Sequence, residues 1–363
     1  MLSLVASDQL DFRTRLRAVL GRLDADPRLG ELLCVTLLPG AAPRHCMGLP
    51  DGSAQAELVL VRTRVDDGGV VQLHQSTLQA YRQPRQIGSL AKMVVLLAAA
   101  RRSLGPDTLV CPRAAQADGR KLRRETRPHL GFRACTPAQH ITLAEATATS
   151  DNLAFFDLAR RLGEPALAQA AQALELPLDL QTDGGSLAFR LSFGTAVATP
   201  ADLLRMGQAL FAVAYGVRAS AAAPQLLQVQ PPQPAGAWQA VAAMLPQPGQ
   251  QRMLRELLEA PVAHPSGTLA ALSGTGVAAG KTGTVSSPVT GPGQTRPYQQ
   301  ARLSLTYQPA DRSVALVVVA GSEPQPLGQP GLPAQLIQPI RETVLAGLPP
   351  RGHLPPSGSS PNP

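Results

Sequence analysis

Residues 301–307, Ala-Arg-Leu-Ser-Leu-Thr-Tyr, lead into the turn sequence Gln-Pro-Ala-Asp at 308–311 and then into Ser-Val-Ala-Leu-Val-Val-Val-Ala-Gly at 313–321. Two apolar segments joined by a short turn that contains Pro and Asp are typical of neighbouring antiparallel strands. Residues 276–285 precede them and predict another strand, which carries the sequence Gly-Lys-Thr-Gly-Thr. These segments together predict a sheet at this end of the chain.

A second group of strands is predicted near the start of the chain. Residues 57–64 and 70–74 are separated by Asp-Asp-Gly-Gly and predict a hairpin. The other predicted elements are a strand at 31–38 and helices at 7–24, 88–100, 142–163, 164–174, 200–214, 250–260 and 333–346. We interpret 103–140 as an irregular basic insertion and 219–250 as a long connection, with Trp238 anchored nearby. Strands at both ends with helices between them predict an α+β fold, in which helices cover a sheet, with a helical lobe beside it.

Composition narrows the class of protein. The chain has 363 residues, of which 44% are hydrophobic and 16% charged, so it can bury a sizeable core. No apolar run reaches about 18 residues, which argues against a membrane-spanning helix. The formal net charge is +8, but the only dense basic cluster, at 120–127, lacks interleaved aromatic residues and a binding motif. We expect no nucleic-acid partner, and interpret this cluster as a solvated loop or a basic rim that attracts carboxylates.

Lysine is rare in this chain, and its positions are therefore informative. It occurs only at Lys92, Lys121 and Lys281, while arginine supplies the other positive charges. An amine can lose its proton and act as a base, whereas a guanidinium does not deprotonate in proteins. Asparagine is rarer still, since it occurs only at Asn152 and at Asn362 in the terminal tail.

The cysteines form two pairs that are local in sequence, Cys34 with Cys46 and Cys111 with Cys135. The spacing matches no zinc or redox motif, and we expect neither a metal nor another cofactor. Two disulfides in an oxidising compartment and four unrelated free thiols both remain open. No signal peptide is visible at the N-terminus, so either the protein is cytosolic or its true start lies upstream.

Ser89-Leu-Ala-Lys92 places a hydroxyl and an amine three residues apart at a predicted helix start. Residues i and i+3 are neighbours on a helix, so the amine can reach the hydroxyl. A serine hydroxyl needs a base to become a strong nucleophile. An amine in the apolar setting of residues 93–95 can have its pKa lowered enough to be that base. A Ser and a Lys at this spacing on an ordinary surface helix are the alternative.

Ser150-Asp-Asn152 places a second hydroxyl near a carboxamide, in a short turn between helical segments. The hydroxyl can pass a proton to a leaving amine, and the carboxamide can hold a substrate carbonyl. An ordinary helix N-cap is the alternative interpretation.

Gly280-Lys-Thr-Gly-Thr284 places an ammonium, Lys281, and two hydroxyls, Thr282 and Thr284, on a predicted strand. These groups can bind a terminal carboxylate, and Gly283 lets a substrate backbone approach closely. The spacing of the glycines does not fit a phosphate-binding loop. A glycine-rich hairpin is the alternative.

The ordered set SxxK, SxN and KTG resembles the serine penicillin-recognising enzymes, which are the penicillin-binding proteins and the serine β-lactamases. Two of the three lysines and the only asparagine outside the tail fall within these motifs. Segments at 153–163, 194–204 and 257–268 also resemble parts of transpeptidase domains. The resemblance implies a five-stranded antiparallel sheet packed between helices on both faces, with a mostly helical lobe and a cleft between them.

The resemblance also implies catalytic roles for four side chains. Ser89 is expected to be the acylated nucleophile and Lys92 its general base. Ser150 is expected to relay protons, and Lys281 to stabilise the anionic site. The backbone amides of Ser89 and Thr284 are expected to form the oxyanion hole.

The remaining motif residues are expected to bind the substrate. By the same resemblance, Asn152 contacts the substrate amide, while Thr282 and Thr284 hold its carboxylate and Gly283 leaves room for its backbone. The expected partners are peptidoglycan stem peptides and β-lactams.

Departures from the family patterns bear on the subtype. Residues 183–188 lack the glutamate and asparagine with which class A β-lactamases deacylate, and no Tyr-x-Asn replaces SxN. The leading hypothesis is therefore an active-site-serine acyl transferase acting on D-Ala-D-Ala-like peptides, as transpeptidase or D,D-carboxypeptidase. A serine β-lactamase and a catalytically silent relative that binds peptidoglycan or a protein partner are the alternatives. Residues 288–297 predict a long Pro/Gly loop, and the predicted strand at 301–305 lacks the aromatic residues common there in transpeptidases.

Domain organisation and location follow from the same resemblance. We expect a weakly matched N-terminal helix and leading strand at 1–56, a catalytic domain at 57–346 with its helical lobe at about 103–215, and a disordered tail at 347–363. Because the family works outside the cytoplasmic membrane, we expect a periplasmic or cell-envelope location.

Overall fold

The computed structural model describes residues 55–65, 70–73, 84–112, 135–177, 186–217, 236–288 and 298–323. Several predictions from the sequence lie outside these residues: the elements at 7–24, 31–38 and 333–346, the tail, the basic cluster at 120–127, and Cys34 with Cys46. Within the described residues, no helix is both long and apolar enough to cross a membrane.

A five-stranded sheet forms the centre of the fold and confirms the predicted α+β class. Its strands are β1 (Gln55–Arg64), β2 (Val70–Leu73), β7 (Ala279–Pro288), β8 (Tyr298–Gln308) and β9 (Ser313–Glu323). They lie in the order β2-β1-β9-β8-β7, and every neighbouring pair is antiparallel. Successive residues 314–318 of β9 are all buried, so both faces of this strand are covered.

Two further sheets of two strands each were not predicted from the sequence. One pairs β3 (Arg85–Gln86) with β6 (Val197–Ala198), and the other pairs β4 (Leu109–Val110) with β5 (Ile141–Thr142). The β4–β5 pair lies just before the helix that leads to the SxN turn.

The helices in chain order are α1 (Lys92–Arg101), α2 (Leu143–Thr149), α3 (Asn152–Leu162), α4 (Glu164–Ala173), α5 (Leu187–Phe193), α6 (Pro200–Ala214), α7 (Gly236–Met244) and α8 (Pro248–Ala263). Short 3₁₀ segments occupy Gly88–Ala91, Pro137–Gln139 and Ala270–Leu272. All residues of α1 from Lys92 to Ala100 are buried, because this helix runs through the middle of the core. A helix buried on every side is apolar all round, which makes the buried lysine at its start unusual.

The interpretation of 219–250 as a long connection was wrong for its second half, where α7 lies. This segment is rich in alanine, the best helix former, and it buries Ala237 and Val241 while Trp238 packs against the core. Helix α5 was also not predicted, although Ser186 caps it by accepting a hydrogen bond from the Phe189 amide.

A disulfide joins Cys111 to Cys135, one of the two interpretations left open for this pair. Cys111 directly follows β4, and Cys135 lies shortly before β5. The bridge therefore closes the segment between the paired strands β4 and β5.

Candidate active site

Ser89 and Lys92 lie where the Gly88–Ala91 turn passes into α1. The Lys92 Nζ donates a hydrogen bond of 3.0 Å to the Ser89 Oγ, as the spacing of three residues predicted. Ser89 is partly exposed, whereas Lys92 is completely buried. A reachable hydroxyl thus lies against an amine that water cannot reach.

Ser150 lies in the break between α2 and α3 and has left-handed backbone angles, with φ 59° and ψ 40°. Such angles are uncommon for a residue other than glycine and cost about 1 kcal/mol or more. Asp151 begins the next helix by accepting hydrogen bonds from the amides of Leu153 and Ala154. The sharp turn directs the Ser150 hydroxyl toward the start of α1.

The Ser150 hydroxyl bridges the two buried amines. Its Oγ lies 3.1 Å from the Lys92 Nζ and 2.7 Å from the Lys281 Nζ. A hydroxyl offers one donor and two acceptor sites, so it can accept from one amine and donate to the other. This chain of three groups can carry a proton between Lys92 and Lys281.

Two acceptors fix the orientation of the Lys92 amine. Its Nζ donates to the Ser150 carbonyl oxygen at 2.6 Å and to the Asn152 Oδ1. Neither oxygen can donate in return, so these contacts hold two N–H groups of the amine and leave its third position to the hydroxyls of Ser89 and Ser150. Since the Asn152 oxygen is held in this way and the residue is exposed, its NH₂ group is available to a ligand.

Burial lowers the pKa of Lys92 from 10.5 to about 7, and the charge of nearby Asp151 raises it in part. The ring of Phe155, 5.2 Å from the Nζ, adds to the apolar surroundings of the amine. Burial also lowers the pKa of Lys281 well below its usual value, and the Lys92 charge lowers it further. A substantial fraction of Lys92 is therefore neutral at pH 7 and able to accept a proton.

Strand β7 lies beside the Ser89 turn. Lys281 is completely buried, Thr282 is partly exposed and Thr284 is exposed. A Cβ on Gly283 would lie 2.8 Å from the Ile87 carbonyl oxygen, and one on Gly88 would lie 2.8 Å from the Thr284 carbonyl oxygen. Glycine at both positions allows the backbones of β7 and the turn to come into contact, which brings the Thr284 backbone close to Ser89.

The structure therefore brings together the residues that the sequence singled out. Ser89, Lys92, Ser150, Asn152 and Lys281 form one hydrogen-bonded cluster. The Thr282 carbonyl oxygen accepts a hydrogen bond of 3.1 Å from the Lys281 Nζ. Thr284 lies two residues further along the same strand, β7, with Gly283 between the two threonines.

Sequence reasoning did not identify Arg302 as a site residue. It lies directly opposite Thr284 on β8, and its Nη1 donates a hydrogen bond of 2.7 Å to the Thr284 Oγ1. The only signal for Arg302 in the sequence was its charge near the start of the predicted strand 301–307, whose other residues are apolar or carry hydroxyls. Its position beside Thr284 depends on the register of β7 and β8.

The family model of the penicillin binding protein transpeptidase domain matches residues 51–337. The chain belongs to this family. No curated protein sequence matches it significantly.

Solved structures of penicillin-binding proteins share the fold of this transpeptidase-family chain. The apo transpeptidase domain of Burkholderia pseudomallei penicillin-binding protein 3 superposes with a TM-score of 0.58 at 18% identity, covering 95% of this chain and 96% of that one. Penicillin-binding protein 3 of Mycobacterium tuberculosis, complexed with aztreonam, gives 0.53 at 19% identity, covering 81% and 72%. At these identities the likeness shows the fold, and the family assignment rests on the family model.

Proposed function

We propose that the chain is an active-site-serine acyl transferase for the D-Ala-D-Ala-like ends of peptidoglycan peptides, working as a transpeptidase or D,D-carboxypeptidase and acylated by β-lactams. The observation that carries this proposal is the buried Lys92 amine, 3.0 Å from the Ser89 Oγ, with its pKa lowered to about 7. A base with a pKa near the working pH combines a useful neutral fraction with proton affinity.

In the acylation step, the Ser89 Oγ bonds to the carbonyl carbon of the scissile peptide while its proton moves to the Lys92 Nζ. The backbone amides of Ser89 and Thr284 stabilise the oxyanion. When the C–N bond breaks, the leaving amine takes a proton through Ser150, whose hydroxyl contacts the amines of both Lys92 and Lys281. Ser89 then carries the acyl group as an ester, and the D-Ala product leaves as a free amine.

The other groups hold the substrate in place. The NH₂ of Asn152 donates to a substrate carbonyl, and the hydroxyls of Thr282 and Thr284 bind the terminal carboxylate. Gly283 lets the substrate backbone approach β7. Burial favours neutral Lys281 in the empty site, and a bound carboxylate favours its ammonium form, so we propose that Lys281 takes a proton as the substrate binds.

Deacylation distinguishes the two activities. An amine from a second peptide gives a cross-link, and water gives the shortened peptide. We place the reaction in the cell envelope, outside the cytoplasmic membrane, within a catalytic domain at 57–346. The Cys111–Cys135 disulfide supports an oxidising compartment.

Intact-mass measurement after incubation with a penicillin tests this function. We expect a stable adduct on the wild type and none on Ser89→Ala. A matched control is Ser103→Gly, which removes an exposed hydroxyl at a left-handed position beyond the end of α1 and should keep the adduct. Rapid penicillin turnover without an adduct would indicate a β-lactamase instead, and no reaction of the folded protein would indicate a binding module.

A further inference from the structure

Arg302 places a positive charge at the edge of the candidate site. It is directly opposite Thr284 in the antiparallel β7–β8 pair, and residues in such positions point to the same face of the sheet. The 2.7 Å hydrogen bond from its Nη1 to the Thr284 Oγ1 fixes the guanidinium against an exposed hydroxyl of the KTG strand.

This guanidinium lacks an acidic partner among the described side chains. None of the ion pairs found there includes Arg302. The residue is partly buried, and its Nε is buried without a hydrogen-bond partner. Burial lowers the pKa of Arg302, and no neighbouring carboxylate offsets this effect. A partly desolvated cation of this kind gains most from an anion that arrives with a ligand.

The hydrogen bond also fixes what Thr284 can do. The Thr284 Oγ1 accepts from Arg302, and a hydroxyl has only one proton of its own to donate. Because the guanidinium of Arg302 occupies one acceptor position of the Thr284 oxygen, the hydroxyl proton of Thr284 points away from Arg302. The exposed hydroxyl is thereby oriented as a donor for an acceptor in the cleft.

We infer that Arg302 is a specificity-determining residue of this site, which selects acyl donors carrying a carboxylate next to Thr284. It acts in two ways, through its charge and by orienting the Thr284 hydroxyl as a donor. The inference rests on the proposed function, because it concerns the substrate of the same site.

The test compares penicillin G with its methyl ester, which has nearly the same shape but no negative charge. The wild type should react faster with the acid than with the ester. Arg302→Gln should lower the second-order acylation rate constant for the acid by about tenfold to a hundredfold, as expected for the loss of a charge-assisted contact, and lower the rate constant for the ester by a much smaller factor, because the ester loses only the orienting effect on Thr284. Arg302→Lys should restore part of the preference, because it keeps the charge and loses the planar fork.

Two controls separate this effect from a loss of structure. Arg255→Gln removes a surface arginine of α8 that pairs with Glu259, and it should leave both rates unchanged. Melting temperatures of all variants report folding. If Arg302→Gln slows acid and ester equally, or changes neither rate, the inference is wrong.

Binding to Ser89→Ala protein, measured by calorimetry, separates the inference from the proposed function. Acylation of the wild type without an Arg302-dependent preference for the acid would overturn the inference alone. Arg302-dependent binding of the acid over the ester, without any acylation of the wild type, would support the inference and overturn the proposed function. If the protein shows no binding and no acylation, both the inference and the proposed function are overturned.

Discussion

At the scale of single residues, the unusual feature is an amine without water around it. Lys92 is completely buried, yet four oxygen atoms from Ser89, Ser150 and Asn152 satisfy its hydrogen-bonding capacity. The ammonium form loses its hydration on burial, and neutral partners compensate for this only in part. The amine is thus held in place while its proton is weakly bound, which is the state a general base requires.

This arrangement predicts how acylation depends on pH. Only neutral Lys92 can accept the Ser89 proton, so the acylation rate constant should rise with pH through the pKa of about 7. Between pH 6 and pH 8 we expect an increase of about tenfold, because the neutral fraction grows from about a tenth to about nine tenths. Lys92 and Lys281 share Ser150, so the measured pKa belongs to the coupled group.

Labelling with a fluorescent penicillin across this pH range measures the rate. Lys92→Arg should abolish labelling at every pH, since a guanidinium does not deprotonate. Lys121→Arg, which changes the one lysine outside the motifs, should keep the wild-type profile. A flat wild-type profile would exclude Lys92 as the base.

At the scale of secondary-structure elements, the site depends on how α2 and α3 are held. Thr142 on β5 caps α2, and β5 pairs with β4, which ends at Val110, directly before Cys111. The Cys111 amide also donates to the Asp157 Oδ2 on α3, 3.1 Å away. Both helices that meet at Ser150 are therefore anchored to the strand that the disulfide secures.

Replacing both Cys111 and Cys135 with alanine should accordingly lower the stability of the fold and the rate of acylation. The bridge spans a sequence separation of 24 residues, and its loss should lower the free energy of unfolding by about 3 kcal/mol. We also expect slower acylation, because looser anchoring of α2 and α3 displaces Ser150. Urea unfolding and penicillin labelling at equal folded fraction measure the two effects. Unchanged labelling would mean that the bridge stabilises the fold without positioning the site.

The secondary-structure elements also show which contacts of the site could be predicted from the sequence and which could not. The Ser89–Lys92 contact was predictable because it depends only on helix geometry over three residues. The meeting of Ser150 with Lys281 depends on tertiary structure and was expected from the family resemblance alone. Arg302 was missed because its partner is set by the register of two strands. Helix α7 was missed because proline- and glutamine-rich sequence around it hid its alanine-rich segment.

At the scale of the whole molecule, the sheet connects parts with separate roles. Arg62 on β1 is almost completely buried and pairs with Asp311 in the β8–β9 turn, while its Nε donates to the Ser313 Oγ. The register places Arg62 opposite Ala315 on β9, and β8 separates β9 from β7. Three strand spacings, about 14 Å, therefore separate β1 from the strand that carries Lys281.

Because of this separation, the Arg62–Asp311 pair should support stability without tuning the chemistry. Asp311→Ala leaves a buried guanidinium without its carboxylate and should lower the free energy of unfolding by about 3 kcal/mol. Adding Arg62→Met removes that unpaired charge, so the double variant should be more stable than the sum of the single losses implies. Urea unfolding of Asp311→Ala, Arg62→Met and the double variant measures these differences, and penicillin labelling per folded molecule should stay at the wild-type rate in all three. A labelling rate that falls together with stability would show instead that the β8–β9 turn is energetically coupled to the groups around Ser89.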